Sequence, residues 1–377
     1  MARLNKLCEG LALSMATSST DKAMLQKRQS ELQDWFLSIL PDLNEKPAKV
    51  KLVPLSGDAS FRRYFTARPG EQTYVLVDAP PDREDSRTFV QIAELFLSAQ
   101  VNVPRVYKAD FNKGFMCLSY LGDTLLFTRL QSLKENNHLF EVNALYHQTF
   151  DILLKIQSIR EGSDLLLPPF DGSLLLREMD LFREWFCGGI MELALSTKEA
   201  ALLDRFFAYL IESALDQPQV CVHRDFHSRN LMVSVDGNHG VLDFQDAVIG
   251  PVTYDLVSLV KDCYISWPRS LIREWALQYA NKAQTAGIID IFRDEEFLRS
   301  FDLMGVQRHL KATGIFSRLY LRDGKPGYLA DIPRTLSYIK EVLGDHPEMY
   351  EVARWFERQV YPMLWTRLRS ILNRGHS

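Results

Sequence analysis

The sequence predicts an α+β protein built as two lobes, a small strand-rich one over residues 1–120 and a larger, mainly helical one over residues 121–377. Between Val50 and Tyr120, short β-branched and aromatic runs alternate with polar residues. Turn chemistry at Ser56-Gly57-Asp58 and Pro80-Pro81 breaks them, which is the pattern of short antiparallel strands. Beyond Leu121-Gly122-Asp123 the apolar spacing lengthens to that of helices. A chain of 377 residues, 46% of them hydrophobic, is long enough to fill a core in each lobe.

Residues 21–40 place Met24, Leu25, Leu32, Trp35, Phe36, Ile39 and Leu40 near helical spacing until Pro41 ends the run, so a leading helix is expected. Three antiparallel strands are expected at 50–54, 61–67 and 74–77, a helix at 88–99, and two further strands at 104–108 and 115–120. The second lobe reads as helices at 139–159, 174–186, 198–215, 269–286, 294–314 and 350–372. Short strands at 220–222, 231–235 and 240–244 interrupt them, the last two joined as a hairpin by Asp236-Gly237. The chain carries no internal repeat and no low-complexity segment.

Lys and Arg number 44 against 48 Asp and Glu, a formal net charge of -4, so the basic excess of a nucleic-acid surface is missing. Cys8, Cys117, Cys187, Cys221 and Cys263 are odd in number, scattered and without a CxxC pair. They read as buried thiols of a reducing compartment rather than as disulfides or a zinc site. The apolar stretch 7–16 is interrupted by Glu9 and is too short to span a membrane, and no run approaches the roughly 20 apolar residues a span needs. A cytoplasmic monomer free of membrane and nucleic acid is expected.

The strongest chemical signal is Val222-His223-Arg224-Asp225-Phe226-His227-Ser228-Arg229-Asn230. An Asp and an Asn five apart on a loop between short strands suit phosphoryl transfer. The carboxylate orients an attacking hydroxyl and takes its proton, while the amide oxygen holds magnesium. Asp225 is therefore the candidate catalytic base and Asn230 a candidate metal ligand. Across the hairpin, Val241-Leu242-Asp243-Phe244-Gln245-Asp246 ends an apolar strand in the second carboxylate that magnesium requires, which makes Asp243 the principal metal candidate. Asp255 is placed to open and cap a helix, a structural role.

The runs HRDFHSRNLMV and VLDFQDAVIGPVTYDL, residues 223–233 and 241–256, resemble the aminoglycoside phosphotransferase and choline kinase family. His227, and the run from Asp243 to Ala247 with Gly250-Pro251 and Tyr254-Asp255-Leu256 after it, are small-molecule kinase traits. The resemblance implies a bilobal protein-kinase-like fold, a five-stranded antiparallel first lobe, ATP as donor with Mg2+ as cofactor, and a small-molecule hydroxyl as acceptor. Residues 55–65, 74–81 and 305–319 extend the likeness to bacterial anomeric kinases of N-acetylmuramic acid and N-acetylglucosamine in cell-wall recycling. That likeness implies a sugar 1-phosphate product.

One departure stands out. The strand on which kinases carry a phosphate-holding Lys reads Tyr74-Val75-Leu76-Val77-Asp78, and the helix position for its Glu partner falls near Phe89, so both partners are expected to be missing together. Arg62 or Arg63, beside the turn Ser56-Gly57-Asp58-Ala59-Ser60 whose amides can approach a nucleotide, are the candidates to neutralise phosphate. On the competing reading they line a solvated strand face. Adenine is expected against the backbone of Ser119, Tyr120 and Leu121, where Leu121-Gly122-Asp123 resembles the family's hinge.

For the acceptor, Arg177, Glu178 and Trp185 on one helix and the basic run Arg308, His309, Lys311, Arg318 on another are the candidates. Glu178, His227, Arg308 and Lys311 are taken as substrate-binding, against the plain reading of core or solvated helix face. Two other functions compete. One is a kinase of a different small hydroxyl compound such as an aminoglycoside, choline or a homoserine-like acceptor; the other is a nucleotide-binding regulatory module without turnover.

Overall fold

Period-two burial puts successive strand residues on opposite faces of a five-stranded antiparallel sheet, ordered β1-β2-β3-β5-β4. Its strands are β1 (Val53–Leu55), β2 (Arg63–Ala67), β3 (Tyr74–Asp78), β4 (Val106–Asp110) and β5 (Phe115–Ser119). The computed structural model describes residues 19–46, 50–55, 62–159 and 167–374. Phe65, Leu76, Phe115 and Cys117 face helix α1 (Ser19–Ile39), which supplies Leu32, Phe36 and Ile39 to a shared core. Val77, Met116 and Leu118 face the other way, toward helix α2 (Ser86–Ser98) with Phe89, Ile92 and Phe96. The side chain of Asp85 caps α2 by accepting from the N–H of Arg87 and Thr88.

The remainder is mainly helical: α3 (Leu126–Glu135), α4 (Leu139–Gln157), α5 (Gly172–Leu181), α6 (Thr197–Leu215), α7 (Tyr254–Val260), α8 (Arg269–Thr285), α9 (Asp294–Leu321), α10 (Ile332–Asp345), α11 (Tyr350–Trp355) and α12 (Tyr361–Arg374). Helix α9 is buried along most of its 28 residues and packs on α5, α6, α7, α8 and α10, so it is the axis of this lobe. Short strands β6 (Gln219–Val222) and β9 (Val248–Pro251) pair with each other, as do β7 (Leu231–Met232) and β8 (Gly240–Val241). The fold is the bilobal α+β kinase-like arrangement predicted above.

The differences from the sequence-based expectation have physical causes. Helix 174–186 begins at Gly172, where Asp171 accepts from Leu174 N at 2.7 Å, and beyond Leu181 it widens into a π-helical stretch, Phe182–Ile190. Helix 294–314 does not stop at Gly314. It runs on to Leu321, because that glycine is a close-packing position against Leu181 and Phe182 rather than a terminator. Strand β9 and helices α3 and α10 have no counterpart among the expected elements. Gly237, at φ 78, does make the β7–β8 turn. No helix among the described residues is long and apolar enough to cross a membrane. Cys117, Cys187, Cys221 and Cys263 are buried free thiols, and Cys8 lies outside the described residues.

Candidate active site

The loop 223–230 leaves β6 and is pinned at both ends by buried carboxylates. Asp255 accepts the backbone N–H of His223 at 2.6 Å and of Arg224 at 3.0 Å. Asp262 accepts from Ser228 N at 3.0 Å and Ser228 Oγ at 2.5 Å. Both lie on or just after α7, so this short helix is the frame of the loop. Asp255 therefore does not cap its own helix as the sequence suggests; it turns back to the loop. Arg224 at φ 76 and Asp243 at φ 61 occupy the left-handed region, which costs an ordinary residue about 1–3 kcal/mol and is sustained only by surroundings that hold it.

Asp225 and Asn230 are brought together with Asp243. The amide nitrogen of Asn230 donates to Asp225 O at 3.0 Å and reaches Asp243 Oδ2 at 3.4 Å, which leaves its amide oxygen as the atom available to a cation. Gln245 donates to Asp243 Oδ1 at 2.8 Å. Burial, with Asp225 close by, pushes the Asp243 carboxyl up to about 6. For Asp225 burial acts upward too, but Lys311, His227 and Arg308 outweigh it and hold the carboxyl below the usual range. His223 is fully buried and kept neutral, lowered to about 4 by burial. Its Nε2 lies 2.9 Å from Leu242 O, so that nitrogen carries the proton, and Nδ1 accepts from Asp225 N at 3.2 Å.

Among the described residues no three His, Cys, Asp or Glu side chains group into a metal cage. The pair Asn230 and Asp243 nonetheless fits a magnesium ion, which takes one or two protein oxygens and fills its octahedron with phosphate and water. A cation held there would favour the ionised form of Asp243 against the burial that raises its carboxyl.

The predicted acceptor residues converge, in a way the sequence reading understated. Glu178 on α5 is buried and accepts from Arg224 Nη2 at 2.6 Å, Lys311 Nζ at 3.0 Å and Gln307 Nε2 at 3.2 Å. Burial raises its carboxyl, yet Lys311 and Arg224 bring it below its ordinary value. Arg308 is buried, bonded to Ser258 Oγ, and 3.6 Å from Cys263 Sγ. Arg308 and Lys311 are thus not on a solvated face; both direct charge at Asp225 from α9. His227 sits edge-on to Tyr264, with ring centres 5.3 Å apart. Arg177 is exposed and bonded to Ser173, apart from this cluster.

On the sheet side, Arg62 and Arg63 part company. Arg63 pairs with Asp78 on the face covered by α1, away from the catalytic loop. Arg62 is buried, its Nε lies 3.1 Å from Glu84, its guanidinium stacks 5.4 Å over Phe89, and its charge reaches Asp243. As expected, β3 carries no Lys and α2 has Phe89 where its Glu partner would stand; Arg62 is paired instead with the half-buried Glu84 just before α2. The sequence reading missed Glu84 because it precedes the helix instead of lying within it. The nucleotide candidates Ser56, Gly57, Asp58, Ala59 and Ser60 lie outside the described residues. Ser119 ends β5, exchanging bonds with Arg105 at 2.9 Å. Leu121 packs against Gly240 of β8, and Gly122 at φ 101 makes the turn between sheet and helices.

A five-stranded sheet over a helical lobe, with Asp225, Asn230 and Asp243 at their junction, defines a kinase-like phosphotransferase. Residues 51–296 match the phosphotransferase enzyme family, and the chain belongs to it. Kinases of this family use ATP with a divalent metal. Its relatives include the N-acetylmuramate/N-acetylglucosamine kinase of Pseudomonas putida, 45% identical over 332 residues that cover 86% of this chain and 95% of the relative. The kinase of the same name from Neisseria meningitidis serogroup B is 40% identical over 86% of this chain and 93% of its own. Among solved structures, Plasmodium vivax ethanolamine kinase superposes with a TM-score of 0.57 at 11% identity, covering 87% of this chain and 97% of that one. Choline kinase LicA from Streptococcus pneumoniae gives 0.53 at 12%, covering 82% and 98%. These last two are likenesses of fold.

Proposed function

We propose that this protein transfers the γ-phosphate of ATP to the anomeric hydroxyl of N-acetylmuramic acid or N-acetylglucosamine, giving the sugar 1-phosphate for cell-wall recycling. The observation that carries the substrate is the 40–45% identity to kinases of that name across most of both chains. The sheet lobe, residues 1–120, takes the nucleotide, with Ser119 and Leu121 at its edge and Arg62, steadied by Glu84, on the phosphates. Residues 121–377 hold the acceptor and the catalytic loop.

Asp225 orients the sugar hydroxyl and takes its proton as the bond to phosphorus forms. Lys311 and Arg308 favour its ionised form, while Glu178 steadies Lys311 and Arg224. Asn230 and Asp243 would hold magnesium, which when bound neutralises charge on the phosphates. We take the enzyme to work as a cytoplasmic monomer, where ATP is supplied. The identity to kinases of these sugars disfavours a different small acceptor, and the retained Asp225, Asn230 and Asp243 disfavour a module without turnover.

The test is ADP release with Mg-ATP and each sugar, comparing the protein with Asp225→Asn. Sugar-dependent turnover that drops by about 10²–10⁴-fold in the variant, with ATP binding retained, is expected. Turnover indifferent to the sugar, or undiminished in the variant, refutes the substrate or the base respectively.

A further inference from the structure

Asp78 closes β3 with its carboxylate fully buried, and two guanidinium groups share it. Arg63 of β2 takes Oδ2, with Nε at 2.9 Å, and Arg28 of α1 takes Oδ1, with Nε also at 2.9 Å. Arg28 donates further to Lys113 O at 2.8 Å and lies 5.2 Å over the Phe115 ring. Arg63 in turn donates to Leu25 O at 3.0 Å. One carboxylate therefore fastens the leading helix to the end of β2. The match to the family starts at residue 51, so α1 and Arg28 precede the shared stretch.

Arg63 and Asp78 form the terminal register pair of β2 with β3. Arg62 stands one residue beyond that pair, where a strand has no ladder bond of its own and frays most readily. Because strand side chains alternate, the clamp on Arg63 occupies one face while Arg62 emerges on the other, toward Glu84, Phe89 and the field of Asp243. The direction of Arg62 thus depends on how firmly its neighbour is held.

We propose that Arg28 is a positioning residue for phosphoryl transfer: through Asp78 and Arg63 it fixes the strand end that aims Arg62 at the nucleotide phosphates. This rests on the reading of Arg62 as the phosphate-binding arginine. Loss of Arg28 leaves Asp78 paired with Arg63, so no bare carboxylate remains in the core. What disappears is the tie that Asp78 makes to α1, with the bond of Arg63 to Leu25 O left alone to hold the strand end to that helix, and the consequence falls on ATP rather than on the sugar.

The experiment measures KM for ATP, KM for the sugar, kcat and melting temperature in the full chain and in Arg28→Ala, Arg28→Lys and Arg62→Ala. Arg28→Ala is expected to raise KM for ATP by about three- to tenfold with KM for the sugar within about twofold. Arg28→Lys should bring the ATP value back toward that of the parent. Arg62→Ala should raise it at least as far as Arg28→Ala. An unmoved KM for ATP in Arg28→Ala beside a raised one in Arg62→Ala overturns the role of Arg28 and leaves the phosphate reading standing. An unmoved value in Arg62→Ala overturns both. Should Arg28→Ala fail to fold, Arg28→Gln, which keeps the stem and a donor, is read by the same split between the two KM values.

Discussion

Asp255 grips the backbone N–H of His223 at 2.6 Å, so the first residue of the catalytic loop hangs from a carboxylate on the helix that follows β9. The second oxygen holds Arg224, which keeps a left-handed backbone angle directly before Asp225. Asp255→Asn preserves shape but replaces one acceptor with an amide donor facing an N–H. The expected result is a loss of about 1–3 kcal/mol in stability and a fall in kcat, with KM for ATP little changed. Thermal melts together with steady-state kinetics check it, and a kcat equal to that of the parent would show that the loop holds its form without this grip.

Two buried imidazoles make the fold sensitive to acid. His309 is held at about 3 and His223 at about 4, in each case by burial first. Unfolded histidines titrate near 6.5, so between that pH and the folded values the unfolded chain binds more protons. Stability is then present above about pH 6.5 and is lost as pH falls through the window, by about 2 kcal/mol per histidine at about pH 5. Asp255, pushed up to about 7 by burial, acts in the opposite sense between about pH 4 and 7 and offsets part of the loss. Denaturant midpoints of the parent and of His309→Gln at about pH 7.5 and 5 should show the acid loss shrinking in the variant. An equal loss in both would remove His309 as a cause.

The strands and helices with clear periodicity were legible in the sequence, as was the trio Asp225, Asn230 and Asp243, because fixed spacing across a hairpin encodes their proximity. The second layer was not legible. Asp255 and Asp262 sit two helical turns apart in α7 and its end, a spacing that puts both on one side of the helix, yet nothing local says that this side meets the loop. The sequence suggests Lys311 and Arg308 as substrate-binding, with a solvated basic face as the alternative, and does not foretell that both are buried, because burial of a charge depends on partners such as Glu178, far away in sequence. The pair Arg62–Glu84 escaped because nothing local joins a residue before β2 to one before α2, and only packing reveals it.

Proton and metal compete at Asp243. With its carboxyl at about 6 in the bare protein, a divalent cation has to displace a proton at lower pH, and the affinity falls toward tenfold per pH unit below that value. Manganese titration followed by electron paramagnetic resonance, without nucleotide, should show binding about tenfold weaker at about pH 5 than at about pH 7.5. Asp243→Asn should bind weakly at both pH values and lose the difference. A pH-independent affinity in the unaltered protein would mean that the cation is held elsewhere.

Gly314 sits where α9 crosses the start of the π-helical stretch, and a β-carbon there would collide with the backbone of Leu181 and Phe182. Alanine is better than glycine inside a helix by about 1 kcal/mol, so on propensity alone Gly314→Ala should stabilise. Overpacking against main-chain atoms that cannot swing aside costs about 1–3 kcal/mol, and it decides the sign. One turn earlier on the same helix, Lys311 holds Glu178 at 3.0 Å, so a displaced α9 also loosens the cation that sets Asp225. The variant is expected to melt lower and to lose kcat together. A higher melting temperature with intact kcat would instead mean that the helices separate there without strain, and that Gly314 is not what sets their distance.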